Sequence, residues 1–365
     1  MLLARLDLVN LLHRMQIDGV NRQAIKRVRG QSDNIPLSQA GNDVLNALRL
    51  WFVGMDPQYF RGQWIYLTVG SPGAPATDPL QSRKVVRLQQ MAIRIVQSKG
   101  NGRVKELRYA LRQHRSATPG IVGLEGIHLL EEALRAGIEV VTIFVAEGHE
   151  HMLSQPPMAE FPLADSVEIL VVPRELLDAA ATTETPQPIA ALVHPRAWKW
   201  PRLLTGPSPL LVVLSGVQDP GNLGTILRSA EAFAATGAVL LPGTVSRWNA
   251  KAMRASAGSV FRLPMLTTTD EDCFQQLRLA GVQPLAAMPR EESSTAPSLS
   301  SLNLTRSTAL FIGSEGNGLS PEIAAQCDAR ITIPCPGPVE SLNAAVAASI
   351  LLYEAARQRG ISRRS

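Results

Sequence analysis

From residue 210 onward, short apolar runs alternate regularly with helical patterns, and this alternation constrains the fold more than any other feature of the chain. Apolar runs without polar alternation are typical of parallel strands that are buried on both faces. The connections between runs and helices are short, so we predict an α/β fold with a largely parallel sheet covered by helices on both sides. The predicted strands are 210–214, 238–241, 282–287, 308–312 and 331–333, and the predicted helices are 223–235, 250–257, 270–279, 321–326 and 342–359.

Residues 91–209 are organised differently. Apolar and β-branched runs at 121–126, 140–145, 167–172 and 189–193 predict further strands. Helices are predicted near 102–114, at 129–134, where the pattern ends at Gly137, a residue suited to a helix C-terminus, and at 173–178. Residues 197–209 contain Trp198, Trp200 and three prolines, which is a linker composition. We therefore predict a first domain at 91–196, a linker at 197–209 and a second domain at 210–365.

Residues 1–90 differ from the rest of the chain. They contain no Glu, show little periodicity, and include a tract rich in Ser, Pro, Gly and Ala at 70–79. Three interpretations are open: an accessory domain, a disordered extension, or sequence upstream of a true start at Met91. The composition favours the last two.

Cationic side chains cluster early in the first predicted domain, in a stretch with one acid, Glu106. Such a stretch can neutralise the phosphates of a nucleic acid, although a solvated helix face would have the same composition. The net charge of +5 adds little, because the excess lies in residues 1–90. The clustered cations are Arg94, Lys99, Arg103, Lys105, Arg108, Arg112 and Arg115.

The sequence disfavours several classes of protein. No apolar run reaches the ~18 residues of a membrane-spanning helix, and the first residues lack the features of a secretory signal. The three cysteines, Cys273, Cys327 and Cys335, suggest neither a disulfide framework nor a metal site, which favours a cytoplasmic location. No cluster of His, Cys and carboxylates suggests a metal. No Gly-x-Gly-x-x-Gly opens a helix, and there is no Walker sequence.

Two polar loops that contain glycine follow predicted strands of the second domain. The first runs from Asp219 to Arg228. Either Asn222 caps a helix and Arg228 is a surface charge, or the helix start and the guanidinium hold a phosphate or a ribose. The second loop, 313–318, places Glu315 among glycines that allow close backbone approach to a ligand, with an ordinary turn as the alternative.

A third loop joins the last predicted strand to a long helix. Its prolines remove N–H donors and suit an apolar wall against a flat ring. Ser341 either caps the helix or completes a pocket with Asn343, and Cys335 is interpreted as a packing residue. No His lies in any of the three loops, which disfavours a Ser-His-Asp or Cys-His relay. All three loops follow strands, where ligands bind in sheets of this kind.

Together the three loops resemble the motifs of the TrmH (SpoU) family of SPOUT RNA methyltransferases, over roughly residues 91–365. A segment between the first and second loops and two short segments of the first domain are also similar to that family. The matching residues are Asn222, Gly224 and Arg228; Gly313, Glu315, Gly316 and Gly318; Ile333, Pro334, Ser341, Leu342 and Asn343; 254–258 with 263–264; and 125–126 with 185–187.

The resemblance implies a SPOUT domain with a C-terminal deep trefoil knot, preceded by a small, ribosomal-protein-like α/β domain that binds the substrate. It also implies an RNA substrate, a homodimer with the site near its interface, and S-adenosylmethionine held bent in the knot. The residues implied to bind that cofactor are Ile312, Gly313, Gly316, Ile333, Pro334 and Leu342.

The implied reaction is methyl transfer to a ribose 2′-hydroxyl, an in-line displacement in which alignment supplies much of the rate. By resemblance Arg228 acts on the hydroxyl. A guanidinium is effectively always protonated, which suits polarisation better than general-base catalysis, and the sequence leaves both roles open. Asn222 and Glu315 would position it, and Ser341 and Asn343 would complete the pocket.

Two other functions compete with this one. A non-catalytic RNA-binding protein that kept the fold would not bind S-adenosylmethionine, and a nicotinamide-dependent oxidoreductase is disfavoured by the missing glycine fingerprint. Because every motif residue is present, we predict an active enzyme. The separate substrate domain favours ribosomal RNA over tRNA, and the modified nucleotide is not indicated.

Overall fold

The structure, a computed structural model, describes residues 93–113, 120–289, 302–338 and 341–360. The expectations for residues 1–90 and for Arg115 lie outside the described residues. All described residues belong to one compact unit.

A mixed sheet lies in the predicted first domain. Its elements are β1 (Ile93–Ile95), α1 (Gly102–Gln113), β2 (Val122–Glu125), α2 (Ile127–Arg135), β3 (Glu139–Ala146), β4 (Glu168–Val172), α3 (Arg174–Ala180) and β5 (Ile189–His194). The strand order is β1–β4–β3–β5–β2, in which β5 runs antiparallel to both of its neighbours. The four predicted strands of this domain are confirmed, and β1 is an addition at the sheet edge.

A fully parallel sheet lies in the predicted second domain, where the sequence predicts a largely parallel one. After α4 (Trp200–Leu203), its elements are β6 (Leu210–Leu214), α5 (Pro220–Ala232), β7 (Gly237–Leu240), α6 (Ala250–Ala255), α7 (Ser259–Arg262), β8 (Met265–Thr267), α8 (Asp270–Leu279), β9 (Gln283–Ala287), β10 (Thr308–Ile312), α9 (Pro321–Gln326), β11 (Ala329–Ile331) and α10 (Ala344–Gln358). The strand order is β11–β9–β10–β6–β7–β8, and each neighbouring pair is parallel.

Helices cover both faces of this parallel sheet. All residues of β6 and β10 are buried, and alternate residues of β6 face opposite sides. Val212 packs in a core with α5, α6 and α10, whereas Val213 packs in a core with α8 and α9. The first of these cores continues into the first domain through Leu124 and Leu129. The trefoil knot stays a prediction.

The elements that the sequence did not predict are short. β1, β8, α4 and α7 each contain three or four residues, which is too few for a periodic pattern. Two predicted helix starts were also wrong. α5 begins at Pro220, because proline suits the first helical position, and α10 begins after its cap, Asn343.

Candidate active site

The three loops meet at one edge of the parallel sheet. β6 and β10 are neighbours, so the loops that follow them start side by side. The backbone N–H of Ser215, just after β6, donates to the carbonyl of Ile312 at the end of β10 over 3.0 Å. The third loop leads into α10, which packs against α5. The sheet therefore gathers three segments that are far apart in the sequence.

Side chains from the three loops form one chain of hydrogen bonds. Asn343 Nδ2 donates to Asn222 Oδ1 over 3.1 Å, and Asn222 Nδ2 donates to Glu315 Oε1 over 2.6 Å. Asn343 Oδ1 accepts the backbone N–H groups of Ala345 and Val346, and so caps α10. Each donor in the chain points toward the carboxylate, which fixes the orientation of both amides.

Asn222 is not the helix cap that one interpretation of the sequence made it. The cap of α5 is Asp219, whose Oδ1 accepts the backbone N–H of Asn222 over 2.8 Å. Lys251 Nζ pairs with Asp219 Oδ2 over 3.0 Å. The hydrogen bond from the Asn222 N–H, and then the one from Lys251, lower the pKa of Asp219. Because Asp219 caps the helix, the side chain of Asn222 is free to turn toward Glu315.

The loop after β10 closes on itself and presents Glu315 at its tip. Ser314 and Gly318 exchange backbone hydrogen bonds of 3.1 and 3.0 Å, and Asn317 N–H donates to Ser314 Oγ over 3.2 Å. Gly318 has a φ of 64°, and a Cβ at Gly313 would overlap the backbone of Gly318. The glycines therefore let this loop fold tightly, which leaves Glu315 exposed.

Arg228 lies apart from this hydrogen-bond chain. It follows Asn222 by six residues on α5, about 9 Å along the helix axis. Its side chain is exposed and makes no hydrogen bond or ion pair with any described residue. The structure thus brings Asn222, Glu315 and Asn343 together and leaves Arg228 available to a partner from outside.

Apolar residues of the second and third loops fit the cofactor that the sequence implies. Ile312 is buried, Ile333 and Leu342 are half-buried, and Pro334 is exposed. A Cβ at Gly316 would meet no atom within 4 Å, so the backbone there is open to a ligand. Apolar side chains beside an accessible backbone suit an adenine ring and its ribose. Contact of these residues with S-adenosylmethionine stays a prediction.

Ser341 and Cys335 occupy the third loop without a structural role in the helix start. Since Asn343 caps α10, the interpretation of Ser341 as the cap is wrong. Ser341 is exposed, and its place in the pocket stays a prediction. Cys335 is half-buried and has a free thiol.

Sequence reasoning missed the contact that joins α5 to α10. Ser229 Oγ lies 2.7 Å from Ser349 Oγ, which also donates to the carbonyl of Ala345 over 2.7 Å. Ser229 lies two turns beyond Asn222 on the same side of α5. That helical spacing was the available signal, but a serine in a helix has no pattern that identifies its partner.

The predicted RNA-binding cations divide into two groups. Arg94 and Arg103 both pair with Glu168, and Arg103 also pairs with Glu106. Hydrogen bonds and the charges of these two acids raise the pKa of Arg103, the bond from Glu106 being the largest influence. Lys99 is exposed and makes no hydrogen bond or ion pair with another described residue.

One side of α1 keeps its cationic character. Lys105, Arg108, Tyr109 and Arg112 follow one another at helical spacing and so share a face. Lys105 and Tyr109 are exposed, and Arg112 Nη2 donates to the carbonyl of Ala179 over 2.9 Å. Arg108 Nε is buried and has no hydrogen-bond partner among the described residues. Tyr109 was not among the residues predicted from the sequence, although its place four residues after Lys105 could have identified it.

Among the described residues, no group of three or more His, Cys, Asp or Glu side chains could hold a metal ion. Within the same ranges, none of the helices combines the length and the apolar character that crossing a membrane requires. Cys273, Cys327 and Cys335 are all free thiols.

Two family models match the chain, one on each domain. The SpoU rRNA Methylase family matches residues 209–353, and the MRM3-like substrate binding domain matches residues 101–191. One match ends before the predicted linker, and the other begins at the last residue of that linker.

Individual proteins match across both domains. An uncharacterised tRNA/rRNA methyltransferase of Mycolicibacterium gilvum is 34% identical over 270 residues, which is 72% of this chain and 84% of the relative. The 23S rRNA (guanosine(2553)-2′-O)-methyltransferase RlmP of Bacillus subtilis is 31% identical over 268 residues, 71% of this chain and 97% of RlmP. The crystal structure of an AdoMet-bound rRNA methyltransferase from Sinorhizobium meliloti is similar with a TM-score of 0.63 and 28% identity, over 73% of this chain and 98% of that one.

Proposed function

The chain belongs to the SpoU family of RNA methyltransferases, and we propose that it transfers the methyl group of S-adenosylmethionine to a ribose 2′-hydroxyl of RNA. The observation that carries this proposal is the hydrogen-bond chain from Asn343 through Asn222 to Glu315, because it joins the three loops that hold the family's motifs. The name of RlmP specifies 2′-O-methylation of 23S rRNA, and the S. meliloti structure contains AdoMet.

Glu315 is the last residue of the hydrogen-bond chain, at the end that faces the substrate. Its Oε1 is occupied by Asn222, and no described residue donates to its Oε2. The second oxygen can therefore accept a hydrogen bond from a ribose hydroxyl. S-adenosylmethionine supplies an electrophilic methyl group when it is bound. Fixing the hydroxyl in line with that group contributes much of the rate of a displacement.

Arg228 is proposed to polarise the 2′-hydroxyl and to hold an adjacent phosphate. A guanidinium stays protonated and presents planar donors that match phosphate oxygens. Its exposure on α5, without a partner among the described residues, supports a role toward the RNA.

The cationic face of α1 is proposed to grip folded RNA. Lys105, Arg108 and Arg112 would neutralise phosphates, and Tyr109 can stack on an unpaired base. A separate substrate domain and the likeness to RlmP favour ribosomal RNA over tRNA. A ribosomal substrate agrees with the cytoplasmic location that the free cysteines indicate.

A homodimer is proposed to form on an apolar groove of about 290 Å³ between α5 and α10. Val346 and Tyr353 on α10 are each 48% exposed there, and Tyr353 packs edge-on against Phe233. Thr225 lines the same groove one turn before Arg228, so a dimer on this surface would place Arg228 near the interface.

Labelled S-adenosylmethionine tests the reaction directly. We expect label in unmodified ribosomal RNA, and alkaline hydrolysis should leave it in undigested dinucleotides, because a 2′-O-methyl group blocks cleavage at that position. Arg228→Ala should abolish transfer while the affinity for S-adenosylmethionine stays within a few-fold. Asn317→Ala, in the same loop as Glu315, is the control and should retain activity. A folded chain that binds no S-adenosylmethionine would favour the non-catalytic alternative.

A further inference from the structure

Arg262 connects the two domains through a pair of glutamates. It is the last residue of α7, and its Nη1 donates to Glu132 Oε2 on α2, in the first domain. Its Nε and Nη2 donate to the two carboxylate oxygens of Glu231 on α5, over 2.7 and 3.0 Å. One guanidinium therefore joins the substrate domain to the helix that carries Asn222 and Arg228.

The surroundings of Arg262 fix its guanidinium in one orientation. Nη2 also donates to the carbonyl of Ala257 over 3.1 Å, and Ser259 Oγ donates to Glu231 Oε2 over 2.6 Å. All three charged side chains are about one third exposed. Burial alone would raise the pKa of Glu231, but the bonds from Arg262 and Ser259 hold it below its ordinary value. A bidentate, partly buried pair has a defined geometry that a single exposed pair lacks.

Gly258 gives the bridge the space that it requires. It adopts a φ of 82°, and a Cβ there would overlap the Glu132 carboxylate and crowd Arg262. Gly258 ends the segment 254–258, which is similar to a segment of the family and has no role in the proposed reaction. The backbone of that segment is thus shaped around a contact between domains.

The packing beside the bridge is incomplete. A cavity of about 260 Å³ lies between Glu125, Gly126 and Gln187 of the first domain and Arg254 and Ala257 of the second. The bridge therefore adds a directional polar contact beside the apolar core that continues between the domains through Leu124 and Leu129.

We propose that Arg262 is a positioning residue that, through Glu132, fixes the orientation of the substrate domain relative to the methyl-transfer site. This inference rests on the proposed function. RNA held on α1 must present its ribose at the three loops, and the joint sets the angle between those surfaces. Loss of the bridge should therefore slow methyl transfer to an RNA that spans both surfaces and should leave cofactor binding unchanged.

Hydrogen exchange of the full chain tests the joint without reference to activity. Glu132→Gln keeps the side-chain shape but removes the charge, and exchange should accelerate in α2 and α7 while β6 and β10 keep their protection. Glu131→Gln is the matched control, because Glu131 pairs with Arg135 inside α2. Unchanged exchange in Glu132→Gln would overturn the proposal.

Methyl transfer to two RNAs tests the consequence for the reaction. For a long folded RNA, kcat/KM should fall ~tenfold in Glu132→Gln, since a small displacement of reacting groups is costly. A short oligonucleotide that reaches only the loops should react as in the wild type, and S-adenosylmethionine affinity should not change. Equal losses on both RNAs would contradict a positioning role. If the wild type methylates neither RNA, the proposed reaction is wrong, and the exchange experiment alone then tests whether Arg262 and Glu132 hold the two domains in position.

Discussion

Directional hydrogen bonding explains why amides, and not acids, occupy two positions of the candidate site. Asn343 must accept from the helix backbone with Oδ1 and donate with Nδ2, and Asn222 must accept from Asn343 and donate to Glu315. An amide performs both tasks with its carbonyl and its NH₂ group, whereas a carboxylate accepts hydrogen bonds but has no proton to donate. If the Asn222 amide were reversed, its Oδ1 would face the acceptor Glu315 Oε1. If the Asn343 amide were reversed, its Oδ1 would face the acceptor Asn222 Oδ1.

Asn343→Asp separates the two tasks of Asn343. The carboxylate still caps α10 but cannot donate to Asn222, so we expect a normal melting temperature with a large loss of methyl transfer. Asn343→Ala should lose the cap as well, at about 1 kcal/mol of unfolding free energy, and should bind S-adenosylmethionine more weakly. Thermal unfolding and calorimetric titration of the two variants check this. Full activity in Asn343→Asp would show that the hydrogen bond to Asn222 is dispensable.

The position of the site was predictable from the sequence, but its internal bonding was not. Asn222, Glu315 and Asn343 were identified because each lies in a loop after an apolar run, and parallel strands bring such loops to one edge. The partners of each amide depend on which residue caps each helix. Asp219 before a proline was a readable cap signal, and it was overlooked because Asn222 is also a good cap residue.

At the level of elements, the crossing of α5 and α6 explains Gly224 of the first motif. A Cβ at this position would overlap the carbonyl of Ala252 and the side chain of Ala255. Gly224 is therefore needed for close helix packing, and packing alone accounts for its place in the motif.

Gly224→Ala should destabilise the protein, because the added methyl group forces α6 away from α5. We expect a loss of roughly 1–3 kcal/mol, as in other overpacked contacts. Denaturant unfolding measures it. Gly102→Ala, at the start of α1, is the matched control, since its Cβ would meet nothing within 4 Å. Equal stability of Gly224→Ala and the wild type would mean that α6 can move at no cost.

The thiols of Cys273 and Cys327, beside the parallel sheet, should react more slowly than the thiol of Cys335 in the third loop. Burial raises the pKa of Cys273 and of Cys327 to about 12, so on the order of one thiol in 10⁴ is ionised at pH 8. Cys335 should therefore react first with a thiol reagent, and saturating S-adenosylmethionine should slow it if the third loop lines the cofactor pocket. Cys335→Ser should remove the fast phase. A fast phase that persists in this variant would contradict the raised pKa of Cys273 and of Cys327.

Predictability also varied among the elements. The central strands β6, β9 and β10 were predicted nearly to the residue, because strands covered on both faces are predominantly apolar. The short edge strands β1 and β8 were missed, because β1 is exposed throughout and both strands are recognised only by their pairing with the adjacent strand of the sheet. Tertiary pairing, which one sequence does not reveal, decides such elements.

At the scale of the whole molecule, the C-terminal helix ties the candidate site to the opposite edge of the sheet. Asn343 starts α10 in the site, and Arg359 follows its last turn. The Arg359 guanidinium donates to the carbonyls of Ser208, Leu304 and Arg306 over 2.6 to 2.7 Å, just before β6 and β10 begin. Both ends of α10 are thus fixed to the strands whose loops form the site.

A chain that begins at Met91 should therefore bind S-adenosylmethionine as well as the full-length chain does. Among the described residues, the hydrogen bonds of the candidate site and both ends of α10 lie after residue 100, and so do both family-model matches. Calorimetric titration of residues 91–365 beside the full chain decides it. Equal dissociation constants would assign the pocket to the two described domains, whereas weaker binding by a folded fragment would show that residues 1–90 contribute to it.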